Sequence, residues 1–198
     1  MAVHTTTYAF DTDAEGFITK SYADNSEVTS PYNATDGVIF HQMHDSEDTF
    51  SISFIKAFSL ADLGLANGET ILNIDSSVDI RLVTNDEEGT WVFGGATISL
   101  SKDFSSSVSE EIIDNGNTPL ANSGWVTRTG SKDYSVDLNP TWLTAPQNLF
   151  FGVRWNVTGP KISPDPWSYT ADMDNLIIDI TTDGGGGGPV TRRRLIIN

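Results

Sequence analysis

The sequence predicts an all-β fold in which two antiparallel sheets stack as a sandwich. Two observations lead to this prediction. Apolar residues recur with a period of two in several segments, whereas helical patterns are short and few. Turn-forming pairs such as Asp36-Gly37 and Asn139-Pro140 separate these segments. Because each antiparallel strand buries one face, about ten strands have to stack as two sheets, and a jelly roll is the natural arrangement at this length.

The clearest strand pattern covers residues 149–157, where Leu149, Phe151, Val153 and Trp155 fall on one face. The same reasoning places strands, in chain order, over residues 5–10, 17–22, 37–43, 50–54, 70–75, 78–82, 91–100, 134–138, 149–157 and 172–181. Gly94-Gly95 lies inside one of these patterns and predicts a β-bulge. The helical candidates are one capped turn over 59–64 and a short stretch that begins near Ser107.

Length and charge limit the classes of function. A chain of 198 residues can fill one well-packed core. The net charge of −16 argues against nucleic acid as a partner, because binding phosphates needs clustered Lys and Arg. There is no cysteine, which excludes disulfides and thiolate chemistry. No secretory signal pattern and no membrane-spanning apolar run is present, so we expect a protein made and assembled inside a cell.

The C-terminus predicts a separate attachment peptide. Five glycines, residues 184–188, form a linker of the composition that gives a flexible coil, which divides the sandwich, residues 1–183, from the peptide 189–198. The β-prone end of this peptide suits addition to the sheet edge of a partner, while its arginines would pair with acidic groups there. The predicted docking residues are Arg192, Arg193, Arg194, Leu195, Ile196 and Ile197. A generic basic patch and a nucleic-acid tail are the alternatives, although three arginines are few for nucleic acid.

Two short motifs carry a resemblance to a known family. Residues 8–17 read Tyr-Ala-Phe-Asp-Thr-Asp-Ala-Glu-Gly-Phe, and residues 173–178 read Met-Asp-Asn-Leu-Ile-Ile. The chain resembles galactose-binding-like jelly rolls, including many carbohydrate-binding modules, in these motifs and in its layout over residues 5–181. The resemblance implies that the first and last strands are neighbours and that a structural calcium lies between them. The implied ligands are Asp11, Asp13, Glu15 and Asp174.

The residues support calcium by a separate argument. Asp174 is in phase with Leu176, Ile178 and Ile180, and a carboxylate in a core position costs several kcal/mol unless an ion or strong donors satisfy it. Calcium prefers carboxylate and carbonyl oxygens. The alternative is that Asp174 only caps a turn at the start of the strand. An EF-hand is rejected, because the twelfth loop position, which needs glutamate, is Tyr22.

Aromatic residues in loop-like stretches are the candidates for ligand binding. Sugar rings stack on aromatic side chains, which makes Trp142, Trp167 and Tyr169 the predicted glycan-binding residues, with Trp91 and Trp125 as further platforms. Packing in the protein interior is the alternative for each of them. Trp155, in phase with the buried set, is predicted to belong to the core.

No motif for catalysis is recognisable in the sequence. His41 and His44 would point to opposite faces of a strand, which is the wrong geometry for a chelating pair. A pair of glycosidase carboxylates stays open as an alternative, because it depends on a separation that the sequence does not give. We therefore predict a protein that is not an enzyme.

The glycine run and arginine-rich end also resemble the termini of some bacteriophage virion proteins. This resemblance implies a virion accessory protein, such as a head decoration, fibre or tail component, assembled in the host cytoplasm. Its partner would be a capsid or other virion protein bound through the tail, and host glycans would be candidate ligands. A homo-oligomer is compatible with the sequence. The alternatives are a carbohydrate-binding module of a glycan-active system and a glycan-active enzyme.

Overall fold

The computed structural model describes residues 1–21, 27–28, 31–34, 38–45, 49–84, 90–104, 109–114, 124–134, 143–158 and 167–184. Over these ranges the chain forms β-strands and no helix, which confirms the all-β prediction. The strands are β1 (Ala2–Tyr8), β2 (Ile18–Ser21), β3 (Glu27–Val28), β4 (Tyr32–Asn33), β5 (Val38–Asp45), β6 (Thr49–Ser59), β7 (Ile71–Thr84), β8 (Thr90–Ser99), β9 (Ser109–Ile113), β10 (Val126–Asp133), β11 (Asn148–Thr158) and β12 (Trp167–Thr182).

Within the ranges that the structure describes, two six-stranded sheets of antiparallel strands form a jelly-roll sandwich, as the sequence predicts. The first sheet has the order β10-β7-β12-β5-β4, and β1 also pairs with β12. The second sheet has the order β3-β2-β6-β11-β8-β9. Strand β12 pairs along one side with β7 and along the other side first with β5 and then with β1. The first and last strands are therefore neighbours, as the family resemblance implies.

The core lies between the two sheets and is rich in aromatic side chains. Its largest fully buried members are Trp155, Phe10, Phe17, Phe54, Phe93 and Phe151. The Trp155 ring meets Phe93 edge to face, with ring centroids 6.0 Å apart, which confirms Trp155 as a core residue. Burying each of these rings contributes about 1.5–3 kcal/mol. Four of the six lie in strands, on the buried half of the period-two alternation, and Phe10 and Phe17 lie in the segment between β1 and β2.

A β-bulge in β12 changes which residues face the core. Asp174 pairs with Asp79, but the next pair is Ile177 with Ser77, so β12 contains one extra residue there. Asn175 takes it up with a left-handed φ of 48°. Before the bulge Ala171 and Met173 are buried, and after it the buried residues are Leu176, Ile178 and Ile180. The expectation that Asp174 shares the core phase of Leu176 is therefore wrong.

The structure differs from the predicted strands at several further positions, including the short strands β3 and β4, which the sequence does not predict. Segments 70–75 and 78–82 belong to one continuous strand, β7. The segment after Ser107 contributes β9, a strand, where the sequence suggested the start of a helical stretch. The sequence does not predict strand β10, because Val-Thr-Arg-Thr-Gly-Ser-Lys-Asp has no alternation of apolar residues. Of the predicted strand 134–138, only Tyr134 is among the described residues.

The capped turn predicted over 59–64 is confirmed. The Asp62 backbone N–H donates to Ser59 Oγ at 3.0 Å, and the Ser59 backbone N–H donates to Asp62 Oδ2 at 3.2 Å. This reciprocal pair is a capping box. The turn links β6 to the loop that precedes β7.

Both ends of the domain lie at the same end of the first sheet. Ala2 pairs with Thr182, and the Asp183 backbone N–H donates to the Thr70 carbonyl at 3.1 Å. A Cβ built on Gly184 would lie 3.6 Å from the Met1 nitrogen. The attachment peptide 189–198, including Arg192 to Ile197, lies outside the described residues and stays a prediction.

Candidate ligand-binding groove

A groove of about 450 Å³ crosses the outer face of the first sheet, over strands β10, β7 and β12. Its lining is mostly short and polar: Asp75, Ser76, Ser77, Thr129, Gly130, Ser131, Ile177 and Asp179. No Lys or Arg occurs among these lining residues.

Strand register explains why these side chains meet. Asp75 of β7 pairs with Ser131 of β10 on one side and with Asp179 of β12 on the other. Ser77, two residues along β7, points to the same face and pairs with Thr129. Since Ile74 and Val78, which belong to the other half of the β7 alternation, are buried in the core, the half that contains Asp75 and Ser77 has to face outward.

Hydrogen bonds within the face fix the orientation of both carboxylates. Thr5 Oγ1 donates to Asp179 Oδ1 at 2.5 Å, and Asn73 Nδ2 donates to Asp75 Oδ2 at 2.8 Å. Ser131 Oγ in turn donates to Asn73 Oδ1 at 3.3 Å. Each carboxylate keeps further acceptor capacity, because an ionised carboxylate offers about four lone-pair sites.

The two carboxylates face one another directly, since Asp75 and Asp179 are cross-strand partners. Like charges in this position destabilise a sheet, typically by a fraction of a kcal/mol. A ligand that donates hydrogen bonds to both carboxylates would offset this repulsion. The arrangement is therefore suited to a molecule with several neighbouring hydroxyl groups.

An exposed tryptophan lies farther along the same face. Trp125 precedes β10 and is 40% exposed, the largest exposed fraction of any large apolar side chain in the described residues. The Arg81 guanidinium carbon lies 4.7 Å from the Trp125 ring centroid, and Arg81 follows Asp75, Ser77 and Asp79 in the outward alternation of β7. An Arg81 nitrogen also lies 2.5 Å from Asp172 Oδ2, a buried carboxylate. The ring is thus held at one end of the face by a stacked, ion-paired arginine.

The other predicted aromatic residues are placed differently. Trp142 lies outside the described residues. Trp167 and Tyr169 are in β12, where they pair with Asp45 and Met43 of β5, so the expectation that they lie in a loop is wrong. Pairing with β5 extends β12 back toward the prolines that suggested a loop. Their role in ligand binding stays a prediction.

Three of the four predicted calcium ligands lie in the loop after β1. The Glu15 backbone N–H donates to Asp13 Oδ1 at 2.7 Å, and Tyr32 donates to the Asp11 carbonyl at 2.8 Å. The Lys56 ammonium donates to the Glu15 carbonyl and lies 5.1 Å from the Tyr8 ring centroid. Burial lowers the pKa of Lys56, and the nearby carboxylates, Glu15 first, oppose this effect. An ammonium group therefore already lies beside the acidic loop.

Asp174 lies across the sheet from Asp79 and is half-buried. Burial raises its pKa, and the charges of Asp79 and Asp11 raise it further, against a hydrogen bond from the Asn175 backbone N–H. Asn175 Nδ2 donates to Asp79 at 3.0 Å and to Asp174 at 3.2 Å. The described residues contain no group of three or more His, Asp or Glu placed to hold a metal ion. Calcium at Asp11, Asp13, Glu15 and Asp174 stays a prediction.

The sequence alone does not single out the groove residues as a site. The available signal was the polar half of the alternation in β7, Asp75-x-Ser77-x-Asp79, opposite a buried apolar half. That pattern indicates a solvated face in any antiparallel strand. It does not reveal that Asp179 and Ser131 flank it, because both pairings join distant parts of the chain.

Comparison with known proteins gives matches only at the level of structure. No protein-family model matches the sequence, and no curated protein matches it either. A xylan-binding domain from Paenibacillus barcinonensis is similar at 12% identity and a TM-score of 0.37, with 88% of this chain and 92% of that chain covered. The N-terminal cellulose-binding domain of a Cellulomonas fimi β-1,4-glucanase is similar at 12% identity and a TM-score of 0.36, with 87% and 93% covered.

A virus protein is also similar. The structure of infectious bursal disease virus, Gt strain, matches at 12% identity and a TM-score of 0.45, over 94% of this chain but only 33% of that chain. The similar solved structures thus include two carbohydrate-binding domains and a viral structure. These likenesses concern the layout of strands and identify no ligand of this chain.

In the described ranges, no helix has the length and apolar character needed to cross a membrane.

Proposed function

We propose that this chain is a non-catalytic domain that binds a neutral glycan in the groove on the first sheet. The observation that carries the proposal is the opposed pair Asp75 and Asp179, held by its own hydrogen bonds and flanked by Ser77, Thr129 and Ser131. Sugars present adjacent hydroxyl groups that can donate hydrogen bonds to carboxylates. Serine and threonine hydroxyls can both donate hydrogen bonds to sugar oxygens and accept them from sugar hydroxyls. Ile177 and Trp125 supply apolar surface for the C–H faces of sugar rings.

The charge of the face selects the class of glycan. Among the described residues the lining includes two aspartates and no Lys or Arg, and the whole chain carries a net charge of −16. Acidic polysaccharides would be repelled from such a surface, more strongly at low ionic strength. Neutral glycans are therefore the proposed ligands.

A hydrolytic role for the same carboxylates is the alternative. Glycosidases place their acid and their base or nucleophile in different environments, so that one carboxyl is protonated when the other is ionised. Here Asp75 and Asp179 lie on the same polar face, and each accepts a hydrogen bond from a neighbouring side chain, although Asp179 is the more buried of the two. This similarity of environments favours binding over hydrolysis.

Replacing Asp179 with alanine is expected to weaken binding of neutral glycans. Loss of hydrogen bonds to a charged acceptor lowers affinity by about tenfold or more. A glycan array and calorimetry would measure the effect, with Asp75→Ala as a second variant and Asp114→Asn as the control, since Asp114 is an exposed acidic residue after β9 in the other sheet. Equal affinity of Asp179→Ala and the wild type would exclude the groove as the site. Release of sugars from the bound polysaccharide by the wild type would instead favour an enzyme.

We also propose that residues 189–198 attach the domain to a virion, as an accessory protein on a head, fibre or tail. The sequence supports this role, because three arginines followed by Leu195, Ile196 and Ile197 form a charged and β-prone end beyond a glycine run. A capsid or other virion protein would be the partner. The glycan groove and the attachment peptide are separate parts of the chain, so either role stands without the other.

Deleting residues 184–198 is expected to abolish incorporation into particles while the sandwich keeps its melting temperature. The reason is that β12 ends at Thr182, and the described core contains no residue of the deleted segment. Purified particles from cells that express the truncated or the full chain would be compared by mass spectrometry. Replacing Arg192, Arg193 and Arg194 with serine would test the charge alone. Normal incorporation of the truncated chain would refute the attachment role.

A further inference from the structure

A second, smaller pocket lies on the outer face of the second sheet. Gly152 in β11 and Gly94 in β8 leave two neighbouring positions of this face without side chains. Val153 pairs with Ala96 but Trp155 pairs with Phe93, so Gly94 and Gly95 together face Arg154, which confirms the bulge predicted at Gly94-Gly95. The resulting pocket has a volume of about 70 Å³. This exceeds the roughly 10–15 Å³ that one water molecule needs.

An aromatic side chain covers the pocket. A Cβ added to Gly152 would lie 2.3 Å from Phe104 Cζ, so the Phe104 ring lies directly on the glycine. Phe104 has a left-handed φ of 52°, an uncommon conformation for a bulky residue. The preceding residue, Asp103, accepts a hydrogen bond from Lys20 Nζ at 2.6 Å, which ties this segment to β2. The Lys20 hydrogen bond and charge lower the pKa of Asp103.

The polar groups in the pocket match an anion better than a cation. Ser53 is 1% exposed, and its buried Oγ has no hydrogen-bond partner among the described residues. Ser53 pairs with Arg154 across β6 and β11, and Gly152 pairs with Thr97 across β11 and β8. Ser53, Thr97 and Arg154 thus belong to the lining of one pocket. None of the described lining residues is acidic, in a chain with 27 acidic and 11 basic residues.

We propose that this pocket binds a small carboxylate group. The Arg154 guanidinium presents donors in the planar arrangement that fits a carboxylate, and the Ser53 and Thr97 hydroxyls can each donate to the same group. Binding would give the buried Ser53 hydroxyl a partner. The carboxylate could belong to a free small acid or to a uronic acid of a glycan. This site is independent of the proposed groove, which lies on the other sheet.

Titration with sodium acetate tests the proposal. At constant ionic strength, set with sodium chloride, acetate is expected to shift the amide NMR signals of Ser53, Gly152 and Arg154 in a saturable manner and to raise the melting temperature. Arg154→Gln should weaken acetate binding by about tenfold or more. Lys132→Gln is the control, because it removes one positive charge from a more exposed side chain of β10, in the other sheet.

A second variant covers the case in which Arg154→Gln fails to fold. Ser53→Ala removes a buried hydroxyl that lacks a partner, so without acetate its stability should equal or exceed that of the wild type. It should nevertheless lose most of the rise in melting temperature with acetate. Unchanged acetate affinity in either folded variant, or equal shifts with chloride alone, would overturn the proposal. Saturable shifts with sodium glucuronate but not with glucose would indicate that the pocket binds an acidic sugar. Saturable shifts with acetate but not with glucuronate would indicate that it binds a free small acid.

Discussion

Glu69→Ala is expected to lower the free energy of unfolding by about 3 kcal/mol. Glu69 is only 4% exposed and joins the loop before β7 to the last strand. Its carboxylate accepts a hydrogen bond from the buried Thr182 hydroxyl at 2.6 Å and another from the Ala66 backbone N–H at 2.5 Å, and His4 Nε2 lies 3.7 Å away. Alanine would leave the Thr182 hydroxyl buried without its acceptor. Urea denaturation would measure the loss, with the exposed Glu111→Ala as control.

The Glu69 contribution should depend on pH. Burial by itself would raise the pKa of this carboxyl, but the hydrogen bonds from Thr182 and Ala66 and the nearby His4 together lower it below its ordinary value of 4.5. A carboxyl group with a lowered pKa in the folded state stabilises the protein at pH values above its unfolded-state pKa. This stabilisation is lost as the pH falls through the folded-state pKa. The difference in stability between wild type and Glu69→Gln should therefore shrink below about pH 4.5. An equal difference at pH 7 and pH 3 would contradict this assignment.

Gly130→Ala is expected to destabilise the sandwich by about 3 kcal/mol. Gly130 is in β10 at the edge of the first sheet, where that edge meets β9 of the second sheet. A Cβ at this position would lie 2.2 Å from the Ile112 carbonyl oxygen and 2.6 Å from Ile113 Cα. Both are backbone atoms, and Ile113 also pairs with Ala96 of β8, so relief requires one sheet edge to move.

Gly124→Ala is the matched control for Gly130→Ala. A Cβ on Gly124 would have no atom within 4 Å, so its effect should stay within about 0.5 kcal/mol. Thermal and urea unfolding of the two variants would be compared under the same conditions. Equal stabilities of the two alanine variants would show that the sheet edges do not meet as described.

The two-sheet fold was predictable because its main determinant is local. The alternation in β11 places Leu149, Phe151, Val153 and Trp155 on one face, and all four are buried in the structure. The bulge at Asn175 was not predictable, since it arises where β12 changes its partner from β5 to β1. One inserted residue reversed the expected orientation of Asp174, on which the residue-based argument for calcium depended.

The candidate site was less predictable than the fold. Asp75 and Ser131 occupy polar positions that the sequence alone would treat as an ordinary solvated surface. Asp75 and Ser131 lie close to Asp179 only because β7 pairs with both β10 and β12. These pairings join segments that are about fifty to one hundred residues apart in the sequence. The pocket beside Gly152 likewise depends on Phe104, which comes from a segment far away in sequence. The sequence instead favours aromatic platforms such as Trp167 and Tyr169, which lie in a paired strand.

Amide NMR mapping of a bound neutral oligosaccharide, chosen from the array, tests the groove most directly. If the opposed aspartates on the outer face of the first sheet bind the sugar, the largest shifts will fall on Asp75, Ser77, Thr129, Ser131, Ile177 and Asp179. They will disappear in Asp179→Ala while the rest of the spectrum is retained. Shifts concentrated on the second sheet, or no saturable shift with any neutral glycan, would contradict the proposed function.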